Sequence, residues 1–381
     1  MNISKPFKML LFIGNILFLF RNISFVGTRI RILMIFGIFV EISVSIYNCY
    51  LIASFYLYHH LSDCINIYMV FCNSLIFIFF SCYHSKKFQN IIICFNTHSN
   101  FFNKDELYLR KIEKRNPVVM IIFILFVALK TIFLFVNTKY YYILIKEFSV
   151  FLTICFRVNK LFNDIRYFYE YLLLFIILAL ISDQLDCVIR SIDKETKYIS
   201  SHPERNDVNN IIFTVESDSY ENNVKLWSQI YSSIADTTDM FNDIFGVQMT
   251  VMLFSAVTYI TIFLYTITFL SVHGLYDTAT LIVYVQKIII MQIQILVLSY
   301  KAQKIKNKVE TLRQRLGTLL LASLNNYKRY QATKDLLRFI SHRRLRIKAF
   351  GSISVDMTLP PSCVMLFTSY TVIALQFNNV L

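Results

Sequence analysis

The chain is poor in the residues that build linkers and tight turns, since its 381 residues include only 7 glycines and 5 prolines. This scarcity excludes a linker-rich or low-complexity protein. Charged residues are also scarce: they make up 16% of the chain, against about a quarter of a typical soluble domain. Hydrophobic residues reach 56%, and the mean hydropathy is +0.53. We therefore predict an integral membrane protein.

The sequence also lacks the usual groupings of catalytic and metal-binding residues. Its 8 cysteines form no CxxC pair and no His/Cys cluster with zinc-like spacing. The histidines in "YHH" and "SHRR" have no carboxylate or thiol at a characteristic spacing. There is no glycine-rich phosphate loop and no internal repeat of the kind that transporters use. We therefore expect no enzyme activity, no cofactor and no metal site.

Seven apolar segments predict membrane-spanning helices, which need about 20 mostly apolar residues. An eighth stretch, from Tyr140 to Phe156, contains Lys146 and Glu147 and ends beside Arg157. We interpret it as a partly helical loop, which leaves eight spans as the alternative. The predicted fold is an all-α integral membrane protein. The seven segments cover residues 32–56, 65–82, 118–136, 167–181, 245–270, 278–298 and 362–380.

Basic residues indicate the orientation, because cytoplasmic loops collect Lys and Arg. The N-terminal segment, the second loop and the sixth loop are rich in them, whereas the first loop and the fifth, "SVHGLYDT", have none. The fourth loop is long and polar. The pattern predicts a cytosolic N-terminus and, after seven spans, an extracellular C-terminus, which is the inverse of a G-protein-coupled receptor. Because the basic residues serve this topology, the net charge of +14 does not indicate nucleic-acid binding.

Two features argue against this orientation. The sequons "NIS" at Asn2 and Asn22 would be glycosylated if the N-terminus were outside. The third loop is predicted to be outside and yet is basic, with Lys139, Lys146, Arg157, Lys160 and Arg166. Cys64 and Cys155 both fall in predicted outer loops, which permits a disulfide between them. The apolar run over residues 9–20 lacks a small-residue cleavage site, so we expect no cleavable signal peptide.

Long polar extensions continue the spans into the cytosol. Residues 227–245 have helical periodicity with acids on one side, and they extend the fifth span. Residues 301–342 predict a long basic amphipathic helix, within a segment of cytosolic anchor helices over residues 301–361. These extensions either pack as a bundle with one another and with neighbouring subunits, or they bind the membrane surface.

Charges within the spans are costly, so they pair, reach the interface or serve a function. In the predicted topology Lys130, Glu170 and Lys287 fall in the outer half of the membrane. They form either structural ion pairs or part of a vestibule, within residues 1–300, that binds a small organic ligand. The aromatic and hydroxyl side chains at a similar depth are Tyr68, Tyr167, Tyr169, Tyr265, Thr268 and Tyr284.

The proline pair Pro360-Pro361 predicts a break before the last span, because each proline removes a donor and clashes with the preceding helical turn. We expect a short helix from about Arg346 to Met357 and a second helix from Ser362, so that the last span is split.

Spacing on the last helix places Ser369 and Gln376 on one face, with Ile373 close to it. Tyr370 and Phe377 lie on the neighbouring stripe. A glutamine amide that faced lipid would be unsatisfied, so this face should meet protein or water. The partner is either another helix of the same subunit or, in a symmetric oligomer, a polar ring around a pore.

The segment "SYTVIALQF" resembles the C-terminal signature of insect gustatory receptors, which is Thr-Tyr, five mainly apolar residues and Gln-Phe. Tyr370, Gln376 and Phe377 match at the same spacing, and Ser369 replaces the threonine. Upstream, "AFGSISVDMTL" looks like the segment that leads into the last helix of this family, whereas Pro360-Pro361 departs from the pattern. Length, seven spans and predicted topology agree over the whole chain. The related olfactory receptors share this architecture.

The resemblance implies a ligand-gated, non-selective cation channel in the plasma membrane of gustatory receptor neurons. Four subunits, identical or mixed, would each give their last helix, residues 362–381, to a central pore. Gln376 and Phe377 would lie at or near the gate, and Tyr370 would support the helix by packing. The implied partners are a small-molecule tastant and the permeating cations.

The branch of the family is suggested by Thr371, which stands where the sugar-sensing branch has an acidic residue. This favours the bitter-type or a divergent branch, and a plant compound as the tastant. The alternative function is a G-protein-coupled seven-transmembrane chemoreceptor, although its DRY-type and NPxxY-type signatures do not appear at the relevant helix ends.

Overall fold

A computed structural model describes residues 12–17, 19, 28–56, 61–97, 99–136, 150–201, 210–272 and 278–377. Over these residues the chain is almost entirely helical. A helical segment over residues 12–16 comes before ten helices and one small hairpin. In order these are α1 (Thr28–Tyr56), α2 (Leu61–Tyr83), α3 (Ser85–Thr97), α4 (Ser99–Phe102), α5 (Glu106–Val136), α6 (Val150–Ser201), α7 (Asn210–Val272), α8 (Thr278–Ala322), α9 (Tyr327–His342), β1 (Lys348–Ala349), β2 (Ile353–Ser354) and α10 (Leu359–Phe377).

Five helices in the described part of the chain are long and apolar enough to cross a membrane. Each of the seven predicted spans lies largely within a helix. The stretch from Tyr140 to Phe156, which was interpreted as a partly helical loop, is helical over residues 150–156, the first turns of α6; residues 140–149 lie outside the described ones. The five candidate spans are Glu106–Ile132, Val158–Ser201, Tyr220–Phe269, Tyr284–Ala322 and Leu359–Phe377.

Three helices are much longer than a membrane is thick. α6, α7 and α8 contain 52, 63 and 45 residues. At about 1.5 Å per residue, α7 is about 95 Å long, whereas the hydrocarbon layer is about 30 Å thick. All three therefore continue outside the bilayer. The single basic helix predicted over residues 301–342 is in fact two, because the chain turns after Ala322 and Asn326 caps α9 by accepting a hydrogen bond from the Arg329 amide at 3.2 Å.

The core of the molecule surrounds α6. Of the apolar window of this helix, 83% is buried within the chain. Its leucines and isoleucines form one cluster with side chains of α2, α3, α5, α7, α8 and α9. The cluster continues into the polar extensions, where the Trp227 indole on α7 donates a hydrogen bond to the Ser191 hydroxyl of α6 at 3.0 Å. The membrane part and the extensions thus share a core.

The segment before the last helix is a β-hairpin. Lys348 pairs with Ser354 and Ala349 with Ile353 in antiparallel register. The turn needs left-handed backbone at Phe350 and Gly351, with φ of 46° and 71°, a conformation that ends a right-handed helix. The short helix predicted from Arg346 to Met357 is therefore wrong.

The last helix, α10, is continuous from Leu359 to Phe377. Pro360 and Pro361 lie in its first turn, where backbone N–H groups have no acceptor within the helix. The prolines therefore remove no intrahelical hydrogen bond. The predicted split of the last helix is wrong for this reason. Asp356 caps the start, because its carboxylate accepts hydrogen bonds from the Thr358 amide and hydroxyl at 3.0 and 2.5 Å.

The disulfide that the predicted topology permits between Cys64 and Cys155 involves side chains outside the described ones, and the sequons at Asn2 and Asn22 also lie outside the described residues.

Candidate functional site

A cavity of about 110 Å³ lies between α2, α5, α6, α7 and α8. It is several times larger than the roughly 10–15 Å³ that a single water molecule requires. Aromatic rings, amides and charged groups line it together, a combination typical of sites for small organic ligands. The lining residues are Asn73, Ser74, Phe77, Phe126, Lys130, Lys160, Asn163, Asp164, Tyr167, Phe168, Tyr259, Phe263, Lys287, Ile290, Met291 and Gln294.

Aromatic side chains form the walls of the cavity. Phe126 of α5 stacks on Phe168 of α6 with ring centroids 3.8 Å apart. Phe77 of α2 lies 6.0 Å from the Tyr167 ring. Phe263 of α7 completes the walls. Flat apolar surfaces therefore face the cavity from four helices.

The charged groups of the cavity lie near these rings. The Lys130 ammonium forms an ion pair with the Asp164 carboxylate at 2.8 Å and lies 5.6 Å from the centre of the Phe126 ring. The Lys287 ammonium is 5.2 Å from the centre of the Phe263 ring, within cation–π range. Lys160, one helical turn before Asp164 on α6, also lines the cavity. Both interpretations of the intramembrane charges thus apply to Lys130, which is paired and also lines a cavity.

A buried polar network supports one side of the cavity. Arg166 is 0% exposed and donates hydrogen bonds to the Asn163 amide oxygen at 2.8 Å, to the Ser74 hydroxyl and to the Leu17 carbonyl at 2.8 Å. The Asn73 amide donates to the Ser255 hydroxyl at 2.7 Å. These bonds hold in place the side chains of Asn73 and Asn163, whose amides line the cavity.

Three of the nine residues predicted for the vestibule line the cavity: Lys130, Tyr167 and Lys287. Tyr284 is not in the lining but stacks on Phe263, which is, with ring centroids 5.2 Å apart. The Thr268 hydroxyl donates to the Leu264 carbonyl of its own helix at 3.0 Å.

The remaining predicted ligand residues are not in the lining. Tyr265 stacks on Phe269 at 6.0 Å. Glu170 is fully buried in α6 and does not line the cavity. Tyr169 is likewise buried, in the core cluster. The side chain of Tyr68 lies outside the described ones.

Sequence reasoning missed several lining residues because it ended the third loop too late. Arg166 was assigned to that outer loop but lies within α6, as do Asn163 and Asp164. The signal that identifies them is their spacing: Lys160 and Asp164 are four apart and face the same side of a helix. Tyr259 and Met291 were missed because apolar and aromatic residues are common throughout the spans.

One face of α10 is buried against the rest of the chain. Cys363, Phe367, Thr371 and Leu375 follow one another at four-residue spacing and are all buried. Cys363 and Phe367 form a cluster with Ala256, Val257 and Ile260 of α7 and Ile295 of α8.

The opposite face of α10 is exposed in the single chain, and it carries every residue predicted at the pore. Phe377 is 85% exposed and Tyr370 55%. Ile373, Ser369 and Gln376 are also exposed. The Ser369 hydroxyl donates to the Met365 carbonyl of the same helix at 2.9 Å.

The cavity and α10 share two helices. On α7, Tyr259 lines the cavity while the next residue, Ile260, packs in the cluster with Phe367. On α8, Met291 lines the cavity and also packs against that cluster. A single layer of side chains therefore separates the cavity wall from α10.

Comparison with solved structures finds the same architecture in olfactory receptor OR5 of the insect Machilis hrabei. The complex of that receptor with eugenol matches with a TM-score of 0.67 at 12% identity, over 97% of this chain and 98% of the receptor. The fold is that of an insect olfactory receptor. A second structure of OR5 matches with a TM-score of 0.64 at 11% identity, over 98% of this chain and 99% of the receptor.

The olfactory-receptor fold confirms the predicted all-α, multi-pass membrane architecture. No family model matches the sequence. No curated protein matches it either. The gustatory branch, the orientation in the membrane and the pore residues stay predictions.

Proposed function

We propose that the protein is a chemoreceptor that acts as a ligand-gated, non-selective cation channel of four subunits, opened by a small organic compound. One observation carries the proposal: α7 and α8 connect a ligand-sized cavity to a last helix that has one face packed and one face open. The olfactory-receptor fold favours this proposal over a G-protein-coupled receptor.

In this proposal the ligand opens the channel by binding the open arrangement better than the closed one. Its contacts with Tyr259 and Met291 shift α7 and α8. Ile260 and Ile295, which pack on Phe367, pass the shift to α10. Cores are close-packed, so a wall displaced by a ligand moves its neighbours.

The open face of α10 would line the pore in a tetramer. A glutamine amide costs free energy in lipid but suits a water-filled channel. Gln376 would form a polar ring around the axis, and Phe377 would form the apolar gate beside it. In the proposed orientation the N-terminus is cytosolic and residues 1–300 contain the first six spans. Residues 301–361 anchor the subunits in the cytosol. Residues 362–381 form the last span, so that the C-terminus is extracellular.

The gustatory branch is part of the proposal because "SYTVIALQF" carries the signature of that family and Thr371 departs from its sugar-sensing branch. The tastant would then be a bitter plant compound, and the site of action the plasma membrane of gustatory neurons.

Expression in oocytes tests the function. With no added G protein, we expect currents evoked by members of a panel of bitter compounds rather than sugars. An epitope at the N-terminus should be inaccessible to antibody in intact cells. Responses that require a G protein, together with an accessible N-terminal epitope, would establish the alternative, a G-protein-coupled chemoreceptor.

A further inference from the structure

Basic side chains of α5 and α8 cluster where three predicted spans end, on the side of the long extensions. Arg115 lies three residues before the third predicted span begins. Asp183 of α6 lies two residues after the end of the fourth span, and Lys301 three residues after the end of the sixth. These positions are therefore at one level of the molecule. The basic cluster consists of Lys111, Arg115, Lys301, Lys304 and Lys308.

Two carboxylates of α6 connect the two helices of the basic cluster. The Asp186 carboxylate pairs with the Lys111 ammonium at 2.8 Å and with the Lys308 ammonium at 2.7 Å, so one side chain joins α5 to α8. The Asp183 carboxylate pairs with the Arg115 guanidinium at 2.5 Å. The five basic groups of the cluster thus have two carboxylates in these contacts, and positive charge is in excess.

The other two lysines of the cluster lie close to like charges. The Lys301 ammonium is half-buried, 4.6 Å from the centre of the Phe175 ring, and Arg115 and Lys304 both act on it electrostatically. Lys304 also acts on Lys308. Lys304 is exposed and forms no ion pair within the described part of the chain. Like charges this close repel one another, so an anion placed among them is stabilised.

Apolar surface continues from the cluster toward the membrane. Val118 follows Lys111 at seven-residue spacing, and it is 53% exposed. On α8, Leu296 and Tyr300 precede Lys304 at four-residue spacing, and they are 46% and 54% exposed. Residues at these spacings share a helix face. A charged surface and an apolar surface therefore adjoin on both helices, as they do in a lipid.

We propose that the basic cluster binds the headgroup of an anionic phospholipid, a phosphoinositide, from the cytosolic leaflet. The proposal rests on the orientation in the proposed function, which puts these span ends at the cytosolic surface. Basic pockets between helices at that surface suit phosphorylated headgroups. The phosphates accept charge-assisted hydrogen bonds from Lys301 and Lys304, and the acyl chains lie along the apolar faces of α5 and α8. Several phosphates offset the excess charge better than the single net charge of phosphatidylserine.

Competition against a fluorescent phosphoinositide tests the proposal on the purified full-length protein in detergent. The competitors are dioctanoyl phosphatidylinositol 4,5-bisphosphate, dioctanoyl phosphatidylcholine and soluble inositol 1,4,5-trisphosphate. We expect the phosphoinositide to bind at least about tenfold more tightly than phosphatidylcholine, because only its headgroup has a net negative charge. It should also bind more tightly than the trisphosphate, because its acyl chains add apolar contacts.

Lysine substitutions locate the binding site. Lys301→Met and Lys304→Met should each weaken phosphoinositide binding by about fivefold, the effect of one basic residue near an anionic lipid, and the double variant should bind more weakly than either. Binding of phosphatidylcholine should change less than about twofold, because its headgroup has no net charge for the lysines to attract. Lys301→Gln repeats the test if the methionine variant does not give a monodisperse protein.

Two matched variants control this experiment. Lys304→Arg keeps the charge and should keep phosphoinositide binding. Lys86→Met removes an exposed lysine of α3 that follows the second predicted span, at a similar level but outside the cluster, and it should leave binding unchanged.

Equal affinity for the phosphoinositide and phosphatidylcholine, or phosphoinositide binding that depends on neither lysine, would overturn the proposal. Equal affinity for the phosphoinositide and the trisphosphate would also overturn it, because the cluster would then recognise a soluble phosphate. Currents recorded in parallel separate it from the channel hypothesis. Lysine-dependent lipid binding without ligand-evoked current would leave the lipid site standing and refute the channel. Ligand-evoked current without phosphoinositide binding would leave the channel standing and refute the lipid site.

Discussion

The second and the last of the five candidate spans, in α6 and α10, are both apolar helices, but the two differ in how much of each is buried within the chain. In α6, 83% of the apolar window is buried inside the chain, whereas in α10 only 28% is. Other helices enclose most of the apolar window of α6. α10 is held along one stripe, from Cys363 to Leu375, and leaves the other open. Apolar composition alone therefore does not show which helix is enclosed within the chain and which has an open face.

The polar residues of the two helices differ in the same way. Arg166 of α6 is completely buried, and three groups of the same chain accept its hydrogen bonds. Gln376 of α10 is exposed, and within the described part of the chain its side chain has no hydrogen-bond partner. The arginine belongs to the structure of one subunit. In the proposed channel, the glutamine amide meets water or other subunits.

The largest loss of stability is expected when a buried side chain of α6 is shortened. Leu178 is 0% exposed, so Leu178→Ala should cost about 2–5 kcal/mol through lost contacts and a residual cavity. Met365 on the open face of α10 is 75% exposed, and Met365→Ala should change stability by about 0.5 kcal/mol or less. Thermal unfolding of the purified variants measures both. Similar losses at the two positions would mean that α10 is as enclosed as α6.

A smaller loss is expected where the hairpin fixes the start of α10. The Asn242 side chain on α7 donates to the Arg346 carbonyl at 2.8 Å and accepts from the Lys348 amide at 3.0 Å. Asn242→Ala leaves both backbone groups without this partner and should cost about 1–3 kcal/mol.

The control for Asn242 is Asn307→Ala on α8, whose exposed side chain accepts a hydrogen bond from half-buried Gln303 at 2.7 Å. Ligand-evoked currents give a second measurement. If the hairpin holds α10 in register, Asn242→Ala should also change the concentration of ligand needed for half-maximal current, and Asn307→Ala should not. An unchanged response in both variants would limit the hairpin to a structural role.

On the open face, a substitution should change conduction and not stability. Gln376→Ala removes an exposed amide, so the free energy of unfolding should change by about 0.5 kcal/mol or less. Tetramers should still form, but relative cation permeability or basal current should change, because the polar ring of the pore is lost. Reversal potentials in solutions of different cations measure this. Unaltered permeability and basal current would argue against Gln376 as a pore residue.

The smallest effect should be a pH dependence at the start of α10. The hydrogen bond from the Thr358 hydroxyl lowers the pKa of Asp356, aided by the Thr358 amide and by Lys306 at 3.4 Å, and this outweighs partial burial. A lowered pKa contributes stability that is complete above the ordinary aspartate value of about 4 and is lost as the pH falls through the lower folded-state value.

Asp356→Asn should therefore lower the unfolding temperature equally at pH 7 and pH 5, and by less as the pH drops below about 4. Thermal unfolding at these pH values measures the difference between the variant and the wild-type protein. A difference that grows in acid would reverse the assigned direction of the pKa.

Local features of the sequence predicted most of the helices, because an apolar run of sufficient length needs no tertiary information to form a span. The hairpin was not predictable in the same way. Its turn depends on left-handed backbone at Gly351 and on docking, since the Phe350 amide donates to the Gly246 carbonyl of α7 at 3.1 Å. A helix was the local expectation, and contact with a residue about 100 positions earlier overrode it.

The site was predicted only in part for a related reason. Lys130 and Lys287 stood out because each is an isolated charge in an apolar run. Asp164 and Arg166 were not predicted as site residues, because a cluster of charges in the sequence suggests a loop. In the structure these side chains instead make an ion pair and hydrogen bonds inside a helical bundle. The open face of α10 was accessible to sequence reasoning, because helical spacing alone groups Ser369 with Gln376.

The account depends most on the two faces of α10, and cysteine accessibility during channel opening tests them most directly. Ser369→Cys and Gln376→Cys on the open face, and Thr371→Cys on the buried face, would each be treated with a membrane-impermeant thiol reagent while ligand-evoked current is recorded. The account predicts loss of current for Ser369→Cys and Gln376→Cys and none for Thr371→Cys. Modification of Thr371→Cys alone, or of none of the three while they conduct, would contradict a pore lined by the open face.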